Sequence, residues 1–287
     1  MPTTSVRLAV RWLSQFGWPV KSVLQRVWNS YEVVTFVITS WLHRVRAPGP
    51  APIDPYQIYY VSPSAVSRYV PTDFDFLRDT GRVIDGEWDE GGTLFVNDSP
   101  YISFYDHFVE DIEWPKTDLF QRRARRIRAG NSGRYITVDE LEAACDRYDR
   151  IYNDIAENGY RTQRELLTTD SVRGLGNGGQ GIFTFHKKAA VRHEIAINIA
   201  RDGSVILNDG RHRLAIALLL DIETIPVRIV VRHAAWQELR NRLYETALDE
   251  QNGGWDRDTA EKVLDEHPTT VEMGLDHPDL QALLPTN

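Results

Sequence analysis

Six consecutive residues, Asn208-Asp209-Gly210-Arg211-His212-Arg213, concentrate the chemistry of this chain. A strand-like run ends at Ile206-Leu207 before them, and an unbroken apolar run, LAIALLL, follows them. The pattern predicts a tight turn and then a helix whose body is buried. The first turn of a helix offers unpaired N–H groups and positive dipole potential, so it attracts anions. Two arginines at such a position are unfavourable for the fold alone and make sense if an anion sits there. Arginine suits phosphate because its planar fork binds two oxygens at once. Gly210 permits the turn and the close approach of a ligand, and Asp209 is placed to cap the helix. His212 can add a donor or move a proton. The bland alternative is internal ion pairs for Arg211 and Arg213 and a core role for His212.

Glu194 and Asp209 are the acids nearest this segment. In phosphoryl transfer one of them would hold Mg²⁺ or act as base, by positioning and charge stabilisation. Arg192 and His193 precede a strand and are expected to face the same pocket, while Arg232 and His233 close the last strand and are lesser candidates. A second basic cluster, QRRARRIRAG, carries five arginines in seven positions. On a helix Arg122, Arg125 and Arg126 share a side and can grip phosphates or DNA; a solvated face paired with local acids is the plainer reading. His107, Glu110 and Asp111 fall near one face of an aromatic helix but lack a fourth ligand, so no metal site is assigned.

The elements that must position these residues follow from periodicity. Ile195, Ile197 and Ile199 alternate along a strand that turns at Asp202-Gly203 and returns through SVILNDG, a hairpin. Another strand runs from Ile225 to Val231, and a long helix from about Ala234 to Glu250. The clearest helix opens on a capping box, Thr137-Val-Asp-Glu140, and carries Leu141, Ala144, Cys145, Tyr148, Ile151 and Ile155 at helical spacing. Asn158-Gly159 ends it. RGLGNGGQGIF lacks the Gly-Lys-Ser/Thr of a P-loop and follows no strand, so it is a ligand-contacting or plain flexible loop. Three units result: a basic-aromatic helical arm (1–48), a main domain (49–240) and an acidic helical tail (241–287). The prolines of APGPAPIDP make a stiff link between arm and main domain.

Composition bounds the function. With 41 acidic against 33 basic residues the net charge is -8, which argues against a generic nucleic-acid binder. Only five of the basic residues are lysine. The arm differs, with Arg7, Arg11, Lys21, Arg26, Arg44 and Arg46 against the single acid Glu32, interleaved with tryptophans. It has the composition of helices that lie on an anionic membrane or dock on a partner, or of helices packed on the protein's own core. Its longest apolar run, VVTFVITSWL, is too short for a span, and no secretory signal is evident. A cytoplasmic chain, with peripheral membrane contact as a variant, is expected. The lone Cys145 excludes a disulfide framework and reads as a buried core residue.

The segment 193–240 resembles the ParB/sulfiredoxin superfamily: strand, turn, strand, then Gly-Arg-His-Arg opening a helix that ends before Ile225-Pro226-Val227. The resemblance implies an α+β fold, a mixed sheet with flanking helices, and nucleotide phosphates held by Gly210, Arg211, His212 and Arg213. ATP or another nucleotide with Mg²⁺ is the implied ligand. Arg211 stands where sulfiredoxins carry their reactive cysteine and where ParB proteins usually carry Glu, and no helix-turn-helix is evident after residue 240. The leading expectation is a nucleotide-dependent phosphotransferase or NTPase, with Glu194, Asp209 and His212 as its catalytic candidates. The alternatives are a ParB-like DNA-binding module using Arg122, Arg125 and Arg126, and a non-catalytic nucleotide or anion sensor docking on a membrane or partner through residues 1–46.

Overall fold

A computed structural model describes residues 18–131, 135–168, 190–249, 254–271 and 273–284. The glycine-rich run 173–183 and the first 17 residues of the arm lie outside them.

The strands that sequence alternation located form the centre of the molecule. β1 is Tyr59–Val61, β2 Arg68–Tyr69, β3 Arg82–Ile84 and β4 Thr93–Leu94. After four described α-helices come β5 (Ile195–Ile199), β6 (Val205–Asp209) and β7 (Ile225–His233). They make one mixed sheet in the order β1-β7-β5-β6-β2-β4, with β3 also on β7. β5 and β6 form the expected antiparallel hairpin, while β5 and β7 run parallel. A parallel neighbour needs a crossover, and the helix Arg211–Leu219 between β6 and β7 supplies it. Every residue of β5 and β7 is buried, the aliphatic ones as expected for covered strands and Arg228, Arg232 and His233 of β7 with polar partners.

Helices flank the sheet. α1 is Trp18–Val45, α2 Ser99–Phe108, α3 Asp118–Arg128, α4 Val138–Asn158, α5 Gln163–Thr168, α6 Arg211–Leu219 and α7 Ala234–Thr246. The hairpin β8–β9 (Leu248–Asp249 and Gly254–Trp255), α8 (Arg257–Asp265) and α9 (Pro278–Gln281) are the remaining described elements. α4 opens at the predicted cap: the Thr137 hydroxyl accepts from Glu140 N at 3.2 Å, while the Glu140 carboxylate reaches one residue further back than a capping box requires and accepts from Ile136 N at 2.7 Å. Cys145 is buried on its inner face with Leu141, Ala144 and Tyr148. The aromatic helix α2 stops at Phe108, before Asp111 takes a positive φ of 56°.

The arm is one long helix where it is described, and its inner face packs on the protein itself. Val33, Phe36 and Ser40 are buried. The Thr39 hydroxyl donates to Leu77 O at 3.3 Å, and His43 Nδ1 bonds Thr80 O at 3.0 Å. The tail is fastened by a buried cluster. Asp279 accepts from Arg232 Nε (2.8 Å) and Nη2 (2.6 Å) and from Trp236 Nε1 (2.9 Å), with Arg240 Nε 3.3 Å away. Arg232 also donates to the Tyr59 hydroxyl at 2.9 Å. The two guanidinium groups hold the Asp279 carboxyl far below the usual carboxylate range despite its burial. No described helix is long and apolar enough to cross a membrane.

Candidate functional site

A cavity of about 680 Å³ opens where α6 begins. Gly210 builds its floor. Its φ of 102° is one that L side chains rarely adopt, and an added Cβ would meet Ile195 of β5 at 3.1 Å. The glycine therefore serves a close approach between turn and strand. Asp209 departs from the role its position in the sequence suggests. Asp209 does not cap α6, because the cap position is Gly210 itself, which has no side chain to offer. Asp209 is exposed at the cavity edge, as the last residue of β6. The first turn of α6 thus carries no side-chain cap at its start.

Around this turn the fold gathers seven arginines among the described residues. Arg211 and Arg213 come from α6, Arg122, Arg123 and Arg126 from α3, Arg147 from α4, and Arg192 from the turn before β5. Among the described residues three acids share the lining: Asp98, Glu194 and Asp209. A protein that is acidic overall thus holds a strongly cationic hollow. The two basic clusters of the sequence converge through α3, which buries Leu119, Phe120 and Ala124 against the core and so turns Arg122, Arg123 and Arg126 to the cavity. Arg125 is exposed and outside the lining. Arg122 is tied to Asp118 at 2.9 Å on the surface, a pair of little energetic weight. Arg211 lies 4.7 Å from the centre of the Tyr69 ring and 3.4 Å from Asp98.

His212 joins the two helices. Its ring stacks on Phe104 at 5.6 Å and lies 4.7 Å from Tyr148. Arg123 Nη2 sits 3.1 Å from its Nε2. A guanidinium can only donate, so Nε2 accepts and the ring proton resides on Nδ1. That bond, with one from Arg123 Nη1 to the Tyr148 hydroxyl at 3.3 Å, fixes Arg123 in the cavity wall.

The inner wall holds the polar groups with the most perturbed chemistry. Glu194 is 2% exposed. Its Oε1 accepts from Gln163 N at 2.6 Å, while Oε2 is buried without a hydrogen-bond partner among the described residues. Burial pushes this carboxyl up to about 7, against the pull of the Gln163 N–H, Arg213 and Arg228. Arg213 Nη1 is likewise buried without a partner among the described residues. Burial, with Arg192, Arg213 and Arg228 nearby, pushes His193 down to about 3, so it is neutral at physiological pH. Behind this wall the fully buried Arg228 donates to Thr80 Oγ1 (2.7 Å) and Phe76 O (2.6 Å).

All the residues proposed from the sequence near the DGRHR turn line one cavity: Glu194, Asp209, Gly210, Arg211, His212 and Arg213, with Arg192 and His193. Arg232 and His233 do not. Arg232 binds Asp279, and His233 caps α7 by accepting from Ala235 N at 3.1 Å. The trio at the end of α2 does not assemble either. His107 contacts Ile112 O at 2.8 Å and Asp149 at 3.2 Å, and Glu110 and Asp111 are exposed. Among the described residues no group of three or more His, Cys, Asp or Glu is arranged to hold a metal. Sequence reasoning missed Arg147 and the wall formed by Tyr135 and Tyr148. The helical spacing from Ala144 through Tyr148 to Ile151 was visible, but not which neighbour that face would meet. No protein-family model, curated protein or solved structure matches the chain.

Proposed function

We propose that the cavity binds the phosphates of a nucleotide and that the protein is a nucleotide-dependent phosphotransferase or NTPase with a ParB/sulfiredoxin-like core. One observation carries the reading: seven arginines from four parts of the chain converge on the uncapped first turn of α6. Like charges gathered at this density repel each other, and a polyanion relieves that repulsion. The cavity volume suits a nucleotide-sized ligand. The order β5, β6, α6, β7, with Gly210 at the turn, accords with the resemblance in residues 193–240. Arg211 and Arg213 take phosphate oxygens, and Arg123, held by His212, faces them from α3. His212 acts here as a positioning residue. A nucleotide brings Mg²⁺ on its own phosphates, and Asp209 at the rim is the acid with room to meet it. In transfer to a hydroxyl, the acceptor oxygen bonds the terminal phosphorus, the bond to the leaving diphosphate breaks, and Glu194 Oε2 takes the hydroxyl proton.

Calorimetric titration with ATP, ADP and CTP, each with Mg²⁺, tests this on the wild type and Arg213→Ala. A charge-assisted hydrogen bond contributes about 1.5–3 kcal/mol, so the variant should bind roughly 10- to 100-fold more weakly. Folded protein that binds none of them would sink the proposal. DNA binding that falls steeply with salt would then favour the module that uses Arg122, Arg125 and Arg126.

A further inference from the structure

α1 has a second face. Tyr31, Val34, Ile38, Trp41 and Val45 are each between 48% and 64% exposed, although all are large and apolar. They recur at intervals of three and four residues and so form one stripe along the outside of the helix. The opposite side carries Val33, Phe36 and Ser40 into the protein. The helix is thus apolar on both sides: the fold covers the inner one, and on the outer one the Tyr31 hydroxyl accepts from Arg78 Nη2 at 3.1 Å while Val34, Ile38, Trp41 and Val45 stand exposed. Exposed apolar stripes of this extent mark interaction surfaces.

We propose that this outer face docks on an anionic lipid membrane. Charge selects the occupant. Residues 1–46 carry six arginines and lysines against one acid, while the rest of the chain holds the whole acidic excess of a molecule at -8. Glu32, that single acid, is half-buried and lies where it favours the charge of Arg192. Arg44 and Arg46 are exposed beside the end of the stripe. A second copy of the helix is the competing occupant, and charge opposes it. The helix has Lys21 and Arg26 toward its start, and Arg44 and Arg46 stand at its end, so either orientation of a pair brings cations together. An anionic surface attracts both ends at once and repels the acidic remainder, which orients the molecule helix-first. At 28 residues, α1 has the length of helices that lie in the plane of an interface. Trp41 and Tyr31 are side chains that settle at headgroup level. The inner face of the same helix holds the 76–80 segment whose Phe76 lines the cationic cavity, so the cavity rides directly behind the docked helix.

Co-sedimentation of the full chain tests this with vesicles of phosphatidylcholine alone and of phosphatidylcholine mixed with phosphatidylglycerol. Binding is expected on the mixed vesicles only, and it should weaken as salt rises. The double variant Ile38→Asp, Trp41→Asp should lose on the order of tenfold or more of that binding. Both positions are exposed, so its circular dichroism and thermal transition should match the wild type. Absence of binding to the anionic vesicles would overturn the proposal, as would equal binding to neutral ones or undiminished binding by a folded double variant. Light scattering that finds a wild-type dimer dissociated by the same substitutions would assign the face to a second copy and overturn it too.

Discussion

Glu194→Gln is expected to stabilise the protein, by an amount that depends on pH. The wild-type carboxyl is 2% exposed and is raised from an ordinary 4.5 to about 7. Below pH 4.5 both the folded and the unfolded chain carry the proton, and the group costs nothing. As pH rises, the unfolded chain releases the proton first, so folding stability falls until the folded carboxyl also ionises near 7. A tenfold change in proton affinity is worth about 1.36 kcal/mol, so the full loss is about 3 kcal/mol above pH 7. Glutamine cannot ionise, and its oxygen can still accept from Gln163 N, now 2.6 Å from Oε1. The variant should therefore match the wild type within about 1 kcal/mol at pH 4.5 and exceed it by about 3 kcal/mol at pH 8. Urea denaturation at several pH values measures this, and taking the difference between the two proteins cancels the titration of other groups. A difference that does not change with pH would refute the reasoning, as would a glutamine variant less stable at pH 8. Either result would mean that Arg213 and Arg228 hold the carboxylate charged. Confirmation would identify Glu194 as a residue kept at a cost to the fold, as functional groups commonly are.

Three further outcomes are expected. Asp279→Ala strands Arg232 and Arg240 in the interior; it should cost about 3–5 kcal/mol and lower the melting temperature by roughly 10 °C, and calorimetry showing no change would contradict the buried cluster. Gly210→Ala forces a side chain into a left-handed conformation and against Ile195; it should cost at least about 1–2 kcal/mol, readable by urea denaturation, and unchanged stability would count against the turn geometry. Burial pushes the Cys145 thiol up to about 12, so a thiol reagent should label it only after unfolding; rapid labelling of the native protein would place it elsewhere.

The local grammar of this chain was legible and its long-range pairings were not. The hairpin of β5 and β6, the strand β7 and the capping box of α4 announce themselves through alternation and spacing, because each rests on contacts between near neighbours. The turn at Gly210 was legible for the same reason. Asp209 misled because its type suits a cap, yet β6 keeps it in strand pairing with Ala196 and the glycine takes the cap position. The meeting of Arg123 with His212 spans 89 residues, and the pairing of Arg201 with Asp89 spans 112. No periodicity encodes such partners; the packing of α3 beside α6 decides them. Asp89 lies in a turn between β3 and β4 and is nonetheless 3% exposed beneath Arg201, a burial that no local pattern announces.

The clasp between β7 and α9 also bears on how the protein is made. Asp279 follows Arg232 by 47 residues. At about 5–20 residues per second, a ribosome delivers the acid roughly 2–10 s after the arginine it neutralises. During that interval β7 carries a cation whose buried partner has yet to be synthesised, so the strand cannot settle into its final environment. Released chains truncated before residue 279 should accordingly be cut readily by protease, and released chains that include α9 should resist. The acid of α9 sets the moment at which the buried arginine of β7 gains its counter-charge.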